Sequence, residues 1–179
     1  MKTLLSEEQL QSGICRLAGE IQAHYDHKPL TIVGVLIGSA VLLADLIRKL
    51  EMPLKVEMVQ ARSYRGNSTR PGPLVLSTDL LSSGIQGRDV LLVDDIFDTG
   101  NTLWELIPQI DELGPASIRS AVLLQKEGRT EVKMRPDFVG FKIPDEFVVG
   151  YGLDYNDMYR NLPYLAVLEP HVIEVDGEE

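Results

Sequence analysis

The part of the chain that decides the fold is the stretch Val90-Leu91-Leu92-Val93-Asp94-Asp95-Ile96-Phe97-Asp98-Thr99-Gly100-Asn101-Thr102. Its first four residues are apolar and predict a strand that is buried on both faces, as central strands of parallel sheets are. Two carboxylates stand at the end of this strand, a polar turn follows, and residues 103–113 continue at helical spacing. A buried strand, a short turn and a helix predict an α/β fold, in which ligands bind outside the carboxyl ends of the strands.

The turn 98–102 has the composition of an anion site. Its backbone N–H groups and two hydroxyls would face the crevice, with the positive end of the following helix behind them, which suits a phosphate. The same residue types also favour an ordinary turn and a helix N-cap. That alternative leaves the adjacent acids Asp94 and Asp95 unexplained. Because neighbouring side chains leave a strand on opposite faces, one acid can accept hydrogen bonds from a sugar diol while the other supports a cation or holds the loop.

The composition is that of one soluble domain. The chain has 179 residues, of which 44% are hydrophobic, and this is enough for a sizeable core. It contains one cysteine, Cys15, so it can form neither an intrachain disulfide nor a cysteine-rich zinc site, which favours the cytoplasm. No apolar run reaches the length of a membrane span, and the first residues lack the shape of a signal peptide.

The net charge of −10 restricts the expected partners. It disfavours nonspecific binding to nucleic acid or to an anionic membrane surface. An acidic enzyme that takes a polyanionic substrate must gather cations at its site or take them from a metal such as Mg²⁺. The segment 62–73 carries three arginines among glycines and prolines. It is too long for a simple turn, so it is either a lid over the substrate or a solvated hairpin tip.

Further strands and helices precede and follow the central strand. The residue spacing predicts helices at 7–23 and 40–50 and strands at 30–37, 55–61, 74–77, 117–124, 137–140, 147–149 and 165–168. The strand 30–37 leads through Gly38-Ser39 into a helix, which is a second place where N–H groups could meet an anion. A tight turn would account for that glycine nearly as well. Lys126 follows another buried strand and therefore belongs to the same crevice.

Two motifs carry a resemblance to a known family. The order of an apolar run, two acids, two apolar residues and Asp-Thr-Gly-x-Thr resembles the phosphoribosyl-pyrophosphate binding motif of the type I phosphoribosyltransferases. Four later segments closely resemble the C-terminal signature of hypoxanthine-guanine phosphoribosyltransferases: Pro136-Asp137-Phe138-Val139-Gly140-Phe141, Ile143-Pro144-Asp145, Phe147-Val148-Val149-Gly150-Tyr151 and Leu153-Asp154-Tyr155-Asn156. With Ser63-Tyr64, the resemblance spans roughly residues 30–168, which is most of the chain.

The resemblance implies a single α/β phosphoribosyltransferase domain over residues 1–179. Its core, at about 30–135, would be a mainly parallel twisted sheet flanked by helices. A small hood over the base site would be built from the N-terminal helix and about residues 136–168. Dimers or tetramers are usual in such a family, so a homodimer or homotetramer is expected.

The activity implied is a step of purine salvage. Such enzymes transfer the 5-phosphoribosyl group from phosphoribosyl pyrophosphate to N9 of a 6-oxopurine (hypoxanthine and/or guanine). They give IMP or GMP, release pyrophosphate and use Mg²⁺. Two alternatives stay open: a xanthine-preferring phosphoribosyltransferase, and a non-catalytic nucleotide-binding regulator with the same fold. Asp98 argues against the regulator, because regulators of the pyrimidine type usually lack an acid at that position.

The resemblance also implies a role for each matching residue, with Asp98 as the general acid/base at purine N7. The phosphoribosyl pyrophosphate would contact Asp94, Asp95, Asp98, Thr99, Gly100, Asn101, Thr102, Gly38, Ser39 and Arg160. The purine would contact Lys126 at O6, Phe147 by stacking, the backbone of Val148 at its edge, and Asp154. Ser63 and Tyr64 would belong to the lid. Asp94, Asp95 and Asp154 would stand near the metal.

Some of these residues have ordinary alternatives, and two positions depart from the family pattern. Phe147 in an apolar strand could be a core residue, Lys126 a solvated strand end, and Arg160 a partner of Asp157. At position 94 many relatives carry glutamate, but the shorter aspartate still accepts hydrogen bonds. Ile37 stands where many members carry lysine, in a loop that binds pyrophosphate and often contains a non-proline cis peptide. The N–H groups of Gly38 and Ser39 would then have to replace the missing cation.

Overall fold

The computed structural model describes residues 1–60 and 84–169, and the backbone alone of 62–63, 74–75 and 82–83. In chain order the elements are β1 Lys2–Leu5, α1 Glu7–Tyr25, β2 Leu30–Leu36, α2 Ala40–Ile47, β3 Leu54–Gln60, β4 Arg62–Ser63, β5 Leu74–Val75, α3 Ser82–Ile85, β6 Asp89–Phe97, α4 Asn101–Asp111, β7 Ser117–Lys126, β8 Phe138–Ile143, β9 Val148–Val149 and β10 Leu165–Val167. No helix among the described residues is both long enough and apolar enough to cross a membrane.

The main sheet has five parallel strands in the order β3-β2-β6-β7-β8. The strand predicted to be central, β6, lies in the middle of this sheet, and the residues from Val90 to Val93 are fully buried. Side chains alternate between the two faces of the sheet. Leu91 and Val93 pack with α1 and α2 on one face, whereas Val90 and Leu92 pack with α4 on the other. The predicted α/β class, with a parallel sheet flanked by helices, is confirmed.

The first long helix, α1, covers one face of the main sheet. Ser6 caps its N-terminus in a capping box with Gln9, and the helix ends at Asp26 in the left-handed conformation. Its apolar residues at helical spacing, Leu10, Ile14, Leu17 and Ile21, are fully buried in the core that includes residues of β2, β6 and β7. The helix is two residues longer than its predicted range 7–23, and it belongs to the core rather than to the hood.

A second, antiparallel sheet has the order β1-β10-β9, and two of its strands, β9 and β10, belong to the segment predicted as the hood. Its first strand was not predicted, and it pairs Lys2 with Val167 near the other end of the chain. The segment 138–143, which we expected in the hood, is instead the fifth strand of the main sheet, parallel to β7. The physical reason is burial, because Phe138 and Ile143 complete the core beneath α1.

The expected lid lies mostly outside the described residues. The backbone of β4, which contains Ser63, pairs antiparallel with β5. Tyr64 is not among the described residues. The lid therefore remains an expectation.

Candidate active site

The site lies where β2, β6 and β7 end, as expected for an open parallel sheet. Two adjacent cavities open there, of about 300 Å³ and about 210 Å³. Both are lined by Asp95, Ile96, Asp98 and Asp154. A ligand with two parts could therefore place one part in each cavity, and the bond between the two parts would lie beside Asp98.

The turn after β6 forms one wall of the larger cavity. Thr99, Gly100 and Thr102 line it, and Asn101 begins α4, so the positive end of the helix is close to the cavity. Gly100 has φ of +91°, in the left-handed region that favours glycine. A Cβ at this position would overlap the side chains of Phe97 and Val132. The turn therefore has the shape and the charge of a phosphate site.

Two acids, the buried Asp94 and the half-buried Asp95, stand at the end of β6 and line the same cavity. Asp94 is 6% exposed, and its Oδ1 accepts a hydrogen bond from the N–H of Asp95 at 3.0 Å. Asp95 Oδ1 accepts from the N–H of Ile96 at 2.7 Å. Burial raises the pKa of both carboxyls, and for Asp94 the neighbouring charge of Asp95 raises it further. Hydroxyl donors or a cation brought by a ligand would stabilise the ionised carboxylates.

The loop that follows β2 forms the opposite wall. Its Leu36–Ile37 peptide bond is cis, and the Ile37 side chain is exposed. Gly38 lines the larger cavity, and a Cβ there would overlap Asp95 Oδ2. Ser39 is buried and directs both its N–H and its hydroxyl to the carbonyl of Val35, at 3.4 and 2.6 Å. Gly38 therefore lines the cavity, whereas the hydrogen bonds of Ser39 lie within the turn into α2.

The smaller cavity has the character of a base site. Lys126, Phe147, Val148 and Leu153 line it together with the carboxylates. Phe147 is 42% exposed and contacts Tyr155 edge to face, with 5.7 Å between ring centroids, so it is not a core residue. Lys126 is buried at the end of β7, so it is not a solvated strand end.

Four charged side chains lie close together around Asp98, which lines both cavities. Lys126 Nζ lies 3.4 Å from Asp98 Oδ2 and 3.6 Å from Asp145 Oδ1. Arg129 lies beside the same acids, with Nε 2.9 Å from Asp98 Oδ1 and Nη1 3.6 Å from Asp145 Oδ1. No role was predicted for Arg129 or Asp145 from the sequence. The one available signal was their position, since Asp145 belongs to a recognised segment and Arg129 follows Lys126 by three residues.

The loop that follows β9 brings Asp154 and Arg160 to the larger cavity. Arg160 Nη2 lies 2.9 Å from Asp154 Oδ1 and 3.3 Å from Asp157 Oδ1, and Nη1 donates to the carbonyl of Gly152 at 2.8 Å. Arg160 is thus both a partner of Asp157 and part of the cavity wall. Gly152 has φ of +99°, and a Cβ there would overlap the carbonyl of Gly38. The two loops are therefore in close contact.

The described residues contain no group of three or more acidic, histidine or cysteine side chains arranged to hold a metal ion. The acids that line the larger cavity are Asp94 and Asp95 at the end of β6, Asp98 in the turn, and Asp154, which is paired with Arg160. Magnesium commonly takes only one or two carboxylates, with water and substrate phosphates as its other ligands. This set of donors suits a metal that arrives with a phosphorylated substrate.

Comparison with known proteins agrees with this geometry. Residues 1–156 match the phosphoribosyl transferase domain. The hypoxanthine-guanine phosphoribosyltransferase of Staphylococcus aureus strain Mu50 is 40% identical over 171 residues, which make up 96% of this chain and 95% of that protein. The crystal structure of a hypoxanthine-guanine phosphoribosyltransferase from Bacillus anthracis, with HEPES in its active site, is 37% identical with a TM-score of 0.87 and covers 94% of this chain and 99% of its own.

A structure with a bound product is similar to this chain as well. A mutant of the hypoxanthine phosphoribosyltransferase from Trypanosoma cruzi, in complex with IMP, has a TM-score of 0.88 at 35% identity, with 99% of this chain and 95% of that chain covered. The chain belongs to the phosphoribosyl transferase domain family. Within that family it belongs with the hypoxanthine-guanine phosphoribosyltransferases, which act in purine salvage. The predicted family and enzyme class are confirmed.

Proposed function

We propose that this enzyme transfers the 5-phosphoribosyl group from phosphoribosyl pyrophosphate to N9 of hypoxanthine and/or guanine, with release of pyrophosphate. The observation that carries the proposal is the position of Asp98, which lines both the phosphate cavity and the base cavity. A group at this border can reach the purine while its own turn binds the phosphate of the sugar. This is where a proton must move as the new bond forms.

The base-side residues would divide the chemistry among them. As purine N9 bonds to C1 of the ribose and the bond from C1 to the pyrophosphate oxygen breaks, the ring system must lose a proton, which Asp98 accepts at N7. General acid–base help of this kind is typically worth about 10²–10⁴-fold in rate. Lys126 would donate to the purine O6, and Phe147 would stack on the ring. The backbone of Val148 would read the edge of the base.

The sugar-phosphate side would use the other cavity. The turn 98–102 and the N-terminus of α4 would bind the 5-phosphate, and Asp94 and Asp95 would accept hydrogen bonds from the ribose hydroxyls. Gly38 and Arg160 would contact the pyrophosphate. Mg²⁺, which neutralises pyrophosphate charge when bound, would be held by Asp94, Asp95 or Asp154 together with substrate oxygens. This fits the small number of carboxylates in the cavity.

The first test is a spectrophotometric assay with phosphoribosyl pyrophosphate and Mg²⁺. Hypoxanthine, guanine, xanthine and adenine are supplied separately. Turnover of hypoxanthine or guanine, without turnover of adenine, is the expected result. Turnover of xanthine in preference to the others would favour the xanthine enzyme. Tight binding of phosphoribosyl pyrophosphate without turnover of any base would indicate the regulator and would contradict the proposal.

We also propose a homodimer or homotetramer that works in the cytoplasm without a nucleic-acid partner. Val56 and Met58 are exposed apolar residues on β3, which is an edge strand of the main sheet and could meet a second copy. The net charge of −10 supports the absence of nucleic acid. The single cysteine permits no intrachain disulfide, and this supports the proposed location in the cytoplasm.

A further inference from the structure

Arg129 lies in the loop after β7, and its contacts suggest a further role in the reaction. This inference rests on the proposed function. Arg129 Nε lies 2.9 Å from Asp98 Oδ1, and its Nη1 lies 3.6 Å from Asp145 Oδ1. Lys126 bridges the same two acids from the other side, at 3.4 Å to Asp98 Oδ2 and 3.6 Å to Asp145 Oδ1. Two cations and two anions therefore alternate around a ring. Each oxygen of Asp98 has its own cation.

The two cations differ in how they contact Asp98. Lys126 is 8% exposed, and a buried ammonium group requires anionic partners. Its distances to Asp98 and Asp145 are both long for an ion-paired hydrogen bond, so it is shared loosely between them. Arg129 Nε approaches Asp98 Oδ1 more closely, but as an ion pair without hydrogen-bond geometry, and its planar guanidinium also lies near Asp145.

Binding of the base changes this ring in a defined way. In the proposed reaction, Lys126 donates to the purine O6 and so gives up part of its contact with Asp98 Oδ2. Asp98 and Lys126 both line the base cavity, and the oxygen that Lys126 leaves there is Oδ2. Arg129 is on Oδ1 and has no need to move. Asp98 then keeps one cation while its other oxygen becomes available to the base.

We propose that Arg129 is the positioning residue of the reaction. It holds Oδ1 of Asp98, so that Oδ2 is the oxygen that meets purine N7. Asp145 lies near both cations, with its Oδ1 3.6 Å from Arg129 Nη1 and 3.6 Å from Lys126 Nζ, and is a second partner for each. Arg129 therefore acts through Asp98 and does not contact the base. Without it, Asp98 can turn about its side-chain bonds, and a misplacement of about 1 Å can cost as much as about 10²-fold in rate.

The test is a double-mutant cycle on kcat with hypoxanthine, measured on the full chain with Mg²⁺. The variants are Arg129→Met, Asp98→Asn and the two together. We expect Arg129→Met to lower kcat by about 10- to 100-fold and to leave KM for phosphoribosyl pyrophosphate unchanged. In the Asp98→Asn background the same substitution should have no further effect, because the group on which it acts is gone. Arg129→Lys, which keeps a charge, should recover part of the loss.

A matched control and a folding check separate a loss of positioning from a loss of stability. Arg135→Met removes an exposed arginine whose hydrogen bonds among the described residues go to the nearby carbonyls of Val132 and Met134, and it should leave kcat unchanged. If Arg129→Met lowers the thermal midpoint, Arg129→Gln serves as the second variant. Losses that multiply in the double mutant, or a rise in KM without a fall in kcat, would overturn the role of Arg129. Absence of turnover in the unmodified enzyme would instead overturn the proposed function.

Discussion

At the scale of single residues, the site depends on close contact between backbone and carboxylate. Asp95 Oδ2 occupies the space that a side chain at Gly38 would need, and the carbonyl of Gly38 occupies the space beside Gly152. Asp94 is buried next to Asp95, although an ionised carboxylate is costly there. Such local costs are common at functional sites, where a ligand compensates for them.

Gly38→Ala should damage both the site and the fold. The new methyl group must displace Asp95 or the loop, and overpacking of this kind costs about 1–3 kcal/mol of unfolding free energy. We expect KM for phosphoribosyl pyrophosphate to rise by at least about 10-fold, because a loss of 1.4 kcal/mol in binding is tenfold. Steady-state kinetics and urea unfolding measure the two effects.

The matched control is Gly19→Ala in α1, where a Cβ would have nothing within 4 Å. Replacing glycine by alanine inside a helix stabilises it by about 0.5–1 kcal/mol. Stability should therefore rise and the kinetics should not change. An unchanged KM in Gly38→Ala would show that Gly38 is not part of the pyrophosphate site.

Asp94→Asn should stabilise the ligand-free protein and impair catalysis. Burial and the charge of Asp95 raise the pKa of Asp94 in the folded state. The folded state therefore loses stability as the pH rises above the ordinary pKa of about 3.9, and asparagine removes that loss. The gain should be present at pH 7 and smaller at pH 4, as measured by thermal unfolding.

Turnover of the same variant should fall by about 10- to 100-fold, because hydrogen bonds to a charged group are worth about 1.5–3 kcal/mol. The control is Asp111→Asn, at the exposed end of α4, which should change neither stability nor turnover. A variant at position 94 that is less stable than the unmodified protein at pH 7 would contradict this account of the buried pair.

At the scale of elements, a polar contact joins the loop after β9 to two helices. The hydroxyl of Tyr151 donates to Asp45 Oδ2 in α2, and Gln11 of α1 donates to the same oxygen at 2.7 Å. Tyr151 stands between Gly150 and Gly152 at φ of +50°, so its backbone is in a strained region for a residue with a side chain. The contact therefore helps to hold the loop that leads to Asp154 and Arg160.

Asp45→Asn should destabilise the protein with the opposite pH dependence from Asp94→Asn. Burial alone would raise the pKa of Asp45, but hydrogen bonds from Tyr151, Gln11 and Arg48 outweigh burial and lower it. A lowered pKa contributes stability above the ordinary value of about 3.9, and this contribution is lost as the pH falls through the folded value.

The variant should therefore be less stable at pH 7 and more nearly equal to the unmodified protein at pH 3.5, as measured by urea unfolding. Tyr151→Phe is the matched variant, since it removes one donor and keeps the acid. It should also raise KM for phosphoribosyl pyrophosphate through the loop. A difference in stability that grows toward low pH would refute the role of Asp45.

At the scale of the whole molecule, the sheet organises the site and ends in two edge strands, β3 and β8. The strands that carry the acids and Lys126 are central, whereas β3 is an edge strand with Val56 and Met58 exposed. Edge strands of this kind are usually covered or paired. A second copy of the chain is the partner that we propose.

Light scattering after size-exclusion chromatography tests this proposal. The expected mass is two or four times the chain mass of 19.9 kDa. Val56→Lys and Met58→Lys together should shift the mass toward the monomer, because charge on an edge strand opposes pairing. The matched control is Lys55→Glu, an exposed charged position on the same strand. A monomer at micromolar concentration in the unmodified protein would contradict the prediction.

Much of the site could be predicted from the sequence because its signals are local. The buried run before Asp94, the turn 98–102 and the strand end at Lys126 are each set by a few adjacent residues. These segments come together because the carboxyl ends of parallel strands lie at one edge of the sheet, where ligands of an open parallel sheet bind. The chemistry of those residues, and the motifs that they form, determined the family and the enzyme class.

Only the tertiary structure decided which distant residues meet. The pairing of Lys2 with Val167, the position of Phe138–Ile143 in the main sheet and the ring around Arg129 join parts of the chain that no local pattern connects. Such contacts depend on register and on packing against other elements, and these are properties of the folded chain as a whole.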